Sequence, residues 1–204
     1  MKKQSVFFNY FCRNKKSFII IIVMFFIGIG LGVFFVNHAN FEQSQEIKEY
    51  VSKLISNIKN HENINKTTLL FQSIKQNVFT ILLIWFLGCT IIGSIFIFIA
   101  IIYKGFSFGY TISSIIATLG IKKGVLFAVF SLFIQNVIFI PTLFLLAESG
   151  IRLYKVISKH GINIKEEVIR HSIIMLISIG LSIVSSFIEV YLSTNLVILC
   201  KNFF

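Results

Sequence analysis

The chain has 204 residues, of which 56% are hydrophobic and 13% are charged, with a formal net charge of +11. Long runs without a charge fill most of it, which excludes an ordinary soluble domain and indicates an integral membrane protein. Most Lys and Arg residues lie beside these runs, where basic residues set topology and meet anionic lipid, so the positive charge does not indicate nucleic acid as a partner.

Five apolar segments predict an all-α, polytopic membrane protein with a single membrane domain over residues 18–204. Residues 1–17 form a basic tail, which is expected to be cytoplasmic. About 20 apolar residues cross a bilayer core. The predicted transmembrane helices lie at residues 18–36, 78–103, 106–121, 125–147 and 173–199. Residues 106–121 are the doubtful segment, because they are short and contain five Ser or Thr residues.

Small residues at a spacing of four predict close helix contacts in two of these segments. Gly28 and Gly32 form such a pair in the first segment, and a longer row follows in the third: Gly105, Gly109, Ser113 and Ala117. Small residues let helix backbones approach closely in lipid, where dispersion drives association. We predict that they pack helices of the same chain, and a homodimer through Gly28 and Gly32 is the alternative.

The polar loop at residues 37–77 contains one amphipathic helix. Its apolar stripe is formed by residues at helical spacing, with charged residues between them: Ile47, Val51, Leu54, Ile55 and Ile58. One interpretation is a helix packed on its own membrane domain or lying in the membrane interface. The other is an extracytoplasmic docking surface for a second, membrane-anchored protein.

Counting basic residues favours five spans, with the N-terminus cytoplasmic and the C-terminus outside. With all five segments crossing the membrane, 11 Lys and Arg residues lie inside and 8 outside. If residues 106–121 do not cross, the numbers become 9 and 10. Lys104 counts as a loop residue in both arrangements.

Polar side chains within the last two segments are expected to be buried together. Glu189 lies inside the last segment, and Gln135 and Asn136 lie near the middle of the fourth, which Pro141 should kink. Because an ionisable group in a membrane needs partners, we predict a polar cluster of Gln135, Asn136 and Glu189. It either fixes helix register or contacts a partner subunit, or it forms part of a substrate or ion path.

The motifs of common enzymes are absent from the sequence. It contains no nucleotide-binding loop, no His-Glu-x-x-His zinc motif and no Gly-x-Ser-x-Gly nucleophile elbow. We therefore predict a protein that is not an enzyme and that holds no metal or cofactor.

The order of these features resembles the stage II sporulation protein M family over nearly the whole length. The likeness rests on a basic tail, a Gly-rich first span, a loop of about forty residues and short motifs: Gly28-Ile29-Gly30-Leu31-Gly32, Asn77, Gly88, Gly93, Gly105, Gly109, Gln135-Asn136, Pro141 and Gly150-Ile151-Arg152-Leu153. The family usually has Asn where Lys104 stands here, which is a small departure. Relatives outside sporulation carry His-Gly and an acidic residue where this chain has Gln135-Asn136 and Ile140.

The resemblance implies a membrane scaffold that acts in the mother cell during engulfment of the forespore. Its partners would be two membrane-bound peptidoglycan hydrolases, stage II sporulation proteins D and P, which it would recruit to the septal membrane. A transporter subunit that works with a separate ATPase is the competing interpretation, and it would use the polar residues of the spans. A homodimeric structural protein of the septum is a third.

Overall fold

The computed structural model describes residues 15–59, 66–90, 92–158 and 164–193, and within them it contains no β-strand. The helices follow in chain order: α1 (Lys15–Asn37), α2 (Phe41–Lys59), α3 (Lys66–Gly88), α4 (Gly93–Leu119), α5 (Ile121–Ala128), π1 (Val129–Phe133), α6 (Ile134–Ser158), α7 (Ile164–Phe187) and π2 (Ile188–Ser193). Five helical stretches are long and apolar enough to cross a membrane. The prediction of an all-α polytopic membrane protein is therefore confirmed.

The second and third predicted spans are divided differently in the structure. The run at residues 78–103 breaks after Gly88, where the chain turns before α4 begins at Gly93. The Thr90 hydroxyl donates to the Leu87 carbonyl at 2.9 Å, and a Cβ at Gly93 would overlap that same carbonyl. Residues 106–121 are thus not a separate span, because they continue the helix that starts at Gly93.

The fourth and fifth predicted spans also begin and end elsewhere. The segment at residues 125–147 starts within α5, passes through π1 and continues as α6 to Ser158, while α7 begins at Ile164. The stretches that are apolar and long enough to cross are Asn136–Ser158 and Ile164–Tyr191. Charged residues within helix ends hid two of these boundaries, because the fourth span was ended before Glu148 and the fifth was started after Arg170.

Helices α1 and α4 run parallel and meet through glycines from both sides. A Cβ at Gly28 or Gly32 would fall on the backbone of Ile102 or Phe106, and one at Gly105 or Gly109 on that of Phe25 or Ile29. At these contacts the residue numbers of α1 and of α4 increase in the same direction, so the two helices are parallel. The face predicted for a homodimer is therefore covered by α4 of the same chain.

Ala117 does not share this contact, although it continues the predicted row. Gly105, Gly109 and Ser113 are buried, whereas Ala117 is exposed. Helix α1 ends at Asn37, so the row on α4 runs past the end of its partner helix at this point.

The remaining spans pack antiparallel around a core that α6 dominates. Ser73 meets Ser186 near one end of α3 and α7, and Trp85 meets Ser172 near the other. Helix α6 contributes most of its surface to the interior, with Phe139, Leu143, Leu146 and Ala147 at 0–1% exposure. We call the end of the bundle where α1 begins basal, and the end where α1 stops apical.

Candidate functional site

A polar cluster ties α3 to the end of α7 in the apical half of the bundle. The Ser73 hydroxyl donates to the Glu189 carboxylate. Asn77 Nδ2 donates to Ser186 Oγ at 3.0 Å, and the hydroxyl oxygens of Ser73 and Ser186 are hydrogen-bonded at 3.0 Å. Ser73, Asn77 and Ser186 are buried, so each bond satisfies a group that would otherwise be costly in lipid.

A cavity of about 210 Å³ lies beside this cluster and is lined by one acidic and one basic residue. Its lining includes Asn77 of α3, Lys104 and Ser107 of α4, Asn136 of α6 and Glu189 of π2. Lys104 attracts Glu189 electrostatically, and its Nζ lies 4.8 Å from the centre of the Phe139 ring. The ring face and the carboxylate are therefore both attractive partners for the Lys104 side chain.

The predicted polar residues are only partly described at this site. Asn136 and Glu189 line the same cavity, and Asn136 Nδ2 also donates to the Leu132 carbonyl of π1 at 2.7 Å. The side chain of Gln135 lies outside the described part of the chain. The hydroxyl donor to Glu189 is Ser73 of α3, which the sequence did not single out.

Lys104 is a residue of this site that the sequence did not predict. It was treated as a loop residue that ended a span, whereas it lies inside α4, more than two turns from either end. Its signal was present in the sequence, because one isolated charge interrupts a run that is otherwise apolar on both sides.

A second buried cluster lies toward the basal end, around His171. Its Nε2 is 3.2 Å from the Trp85 carbonyl, which can only accept, so Nε2 carries the hydrogen. Nδ1 therefore accepts from the Ser149 hydroxyl at 3.0 Å. His171 is 0% exposed and Ser149 is 3% exposed, so this pair joins α7 to α3 and α6 in the interior of the bundle.

The amphipathic stripe of α2 faces the protein's own bundle where it is described. Val51 is buried and packs with Ile115 of α4 and with Phe127 of α5, and Ile47 is half-buried. The docking surface predicted for a partner is thus covered at Val51, since an apolar stripe packs on the nearest apolar surface. The side chains of the other stripe residues lie outside the described part: Leu54, Ile55 and Ile58.

The opposite face of α2 is exposed and carries charges of both signs. Glu42, Glu46 and Glu49 are exposed, and Tyr50 on the flank is 67% exposed. Lys53 Nζ lies 2.6 Å from Glu49 Oε1, and this ammonium lowers the pKa of that carboxyl by hydrogen bonding and charge attraction. This face remains available for contacts outside the chain.

Comparison with known proteins identifies a family that covers most of the chain. The family described as stage II sporulation protein M matches residues 21–194. No curated protein and no solved structure matches the chain. The family match covers all five membrane stretches from the first turns of α1 to the end of π2. The chain therefore belongs to the stage II sporulation protein M family and is a sporulation-related membrane protein.

Proposed function

We propose that the protein is a membrane scaffold that recruits peptidoglycan hydrolases to the septal membrane during engulfment of the forespore. Family membership supports the link to sporulation. The scaffold role is supported by α2, a long helix outside the membrane stretches that keeps an exposed face while its apolar side packs on the bundle. This exposed face is the observation on which the proposal depends.

We propose that α2 lies on the extracytoplasmic side, where the hydrolases act. The basal end contains the start of α1 and the end of α6, because Lys155 Nζ donates to Ser17 Oγ at 2.7 Å. The described basic residues near this end therefore lie on one side: Lys16 of α1, Arg152 and Lys155 of α6, and Lys165 of α7. Positive charge concentrates on the cytoplasmic side of membrane proteins, which supports a cytoplasmic basal end.

The exposed aromatic side chain of Tyr50 is the best candidate for a docking residue. Tyrosine is enriched at the energetic centres of protein interfaces, and Glu46 beside it would favour a basic group on the partner. We expect Tyr50→Ala to lower recovery of membrane-anchored hydrolases about tenfold in affinity capture from gently solubilised sporulating cells.

Tyr103→Ala is the matched control for this substitution. Tyr103 is 69% exposed but lies on the lipid-facing side of α4, so its removal should leave hydrolase recovery unchanged. Equal recovery with Tyr50→Ala and with the unaltered chain, at equal protein abundance, would refute the docking role of α2. Val51→Asp is unsuitable alone, because it also breaks the packing of α2 on the bundle.

A transporter subunit remains the second candidate, and the charged cavity between α3, α4 and π2 favours it. Glu189→Gln separates the two functions, because the amide keeps the size of the side chain and removes its charge. The scaffold proposal predicts that sporulation and hydrolase recovery both persist in this variant. Loss of sporulation with normal abundance and normal hydrolase recovery would favour transport.

A further inference from the structure

Two neighbouring cavities lead from α2 into the middle of the bundle. The apical one has a volume of about 650 Å³ and lies beneath α2, between Val51, Ser114 and Phe127. The inner one is the cavity of about 210 Å³ that contains Lys104 and Glu189. Thr111 and Leu132 line both, so the two cavities adjoin at these side chains.

Ser114 indicates that the apical cavity holds polar molecules. Its side chain is 3% exposed, and its Oγ has no hydrogen-bond partner within the described residues. Buried hydroxyl groups are nearly always paired with protein or with water. A cavity of this volume exceeds the roughly 30 Å³ that one water occupies many times over, so water fits beside Ser114.

The charges of the inner cavity select the class of solute that it can bind. A simple anion would be attracted by Lys104 and repelled by Glu189, and a simple cation would meet the reverse. A molecule that carries both charges can place its anionic group against Lys104 and its cationic group against Glu189. Three other lining residues can form hydrogen bonds with such a molecule: Asn77, Ser107 and Asn136. Complementary charges of this kind give specificity even where net affinity is modest.

We propose that the two cavities form one water-filled passage, entered beneath α2, whose inner end binds a small zwitterion. Its anionic group meets Lys104 and its ammonium group meets Glu189. The same chemistry occurs in dissolved molecules such as amino acids and in the headgroup of phosphatidylethanolamine. This inference does not depend on recruitment of hydrolases by α2.

The passage is tested first by the reactivity of cysteines placed on α4. Starting from a chain with Cys12→Ser, Cys89→Ser and Cys200→Ser, Thr111→Cys puts a thiol where the two cavities adjoin, and Tyr103→Cys puts one on the lipid face. Each protein is reconstituted in phosphatidylglycerol vesicles and treated with a charged, membrane-impermeant thiosulfonate. Because reaction needs a hydrated thiolate, we expect Thr111→Cys to react about tenfold faster. Equal rates would overturn the passage.

The ligand is tested by protection of the same cysteine. Glycine and phosphoethanolamine serve as dissolved probes, and vesicles containing phosphatidylethanolamine test the lipid source. We expect at least one of these to slow modification of Thr111→Cys several-fold, whereas acetate and methylammonium at equal concentration do not. Protection by neither source, or equal protection by a singly charged ion, would overturn the zwitterion site.

A charge variant shows whether protection depends on the proposed contacts. Lys104→Gln in the Thr111→Cys chain should keep the fast reaction and abolish protection by the zwitterion. Persistent protection in that variant would refute the role of Lys104. If Lys104→Gln does not accumulate, the probe series in the charge-intact chain still decides between binding and no binding, because it needs no change at either charge.

Discussion

Gly32→Val is expected to destabilise the protein by about 3 kcal/mol, because the new side chain would overlap the backbone of α4. A Cβ at this position would fall on the carbonyl oxygen of Phe106 and close to the amide nitrogen of Tyr110. Backbone atoms of a packed helix cannot rotate away as a side chain can, so α1 and α4 must separate. Thermal unfolding in mild detergent, followed by helical circular dichroism, measures the loss.

Gly30→Val is the matched control, since it makes the same change two residues earlier on the same helix. A Cβ at Gly30 would meet no atom within 4 Å. We expect its unfolding temperature to stay within a few degrees of that of the unaltered chain, corresponding to about 1 kcal/mol or less. A similar loss in both variants would show that valine disturbs α1 itself and would contradict the packing explanation.

Arg152→Met is expected to cost about 3 kcal/mol of stability, because it leaves the carboxylate of Glu167 without its buried partner. Arg152 Nη2 lies 3.1 Å from Glu167 Oε1, and the side chains are 12% and 17% exposed. Arg170 also reaches Glu167, at 3.3 Å, but its side chain is 41% exposed and the pair is more strongly screened. Unfolding in urea, with mild detergent present throughout, measures the effect.

The double substitution Arg152→Met with Glu167→Met distinguishes a lost charge partner from lost packing. Removing both charges removes the buried, uncompensated carboxylate, so most of the stability should return. Arg170 can then turn to solvent, since its side chain is already partly exposed. A double variant as unstable as Arg152→Met alone would show that the guanidinium acts mainly through its packing.

The sequence predicted the class of the fold and the close helix contacts, because both depend on local composition. Long apolar runs identify membrane helices by length alone, and glycines at a spacing of four identify surfaces for close approach. The sequence around Gly28 and Gly32 does not show which helix packs against them. The alternative of a homodimer arose for that reason, and the packing of α1 on α4 answers it within this chain.

The division into spans was wrong where charge and helix ends do not coincide. Lys104 ended a predicted span, yet the cavity and the Phe139 ring let its charge remain inside α4. Conversely, the chain turns between Gly88 and Gly93 without any charge to mark the place. Hydropathy measures the cost of placing a residue in lipid, and it contains no information on a partner that removes this cost.

The sequence predicted only part of the polar site, because hydropathy shows the cost of a residue in lipid but not the partners that lower this cost. Glu189 was identified from its own cost in the membrane, and Asn136 from the polar pair in the fourth segment. Ser73 and Asn77 were assigned to the loop at residues 37–77, since the second membrane span was expected to begin at residue 78. Once α3 extends back to Lys66, both residues lie on a membrane helix and face α7.

The parallel pairing of α1 with α4 also has a consequence for biogenesis. The glycine face of α1 meets residues that follow it by about 75 positions, with α2 and α3 made in between. At a synthesis rate of 5–20 residues per second, α1 waits roughly 4 to 15 seconds in the membrane before α4 emerges. During this interval its small-residue surface is open to other transmembrane helices, so correct insertion of α3 and α4 determines whether α1 finds its own chain.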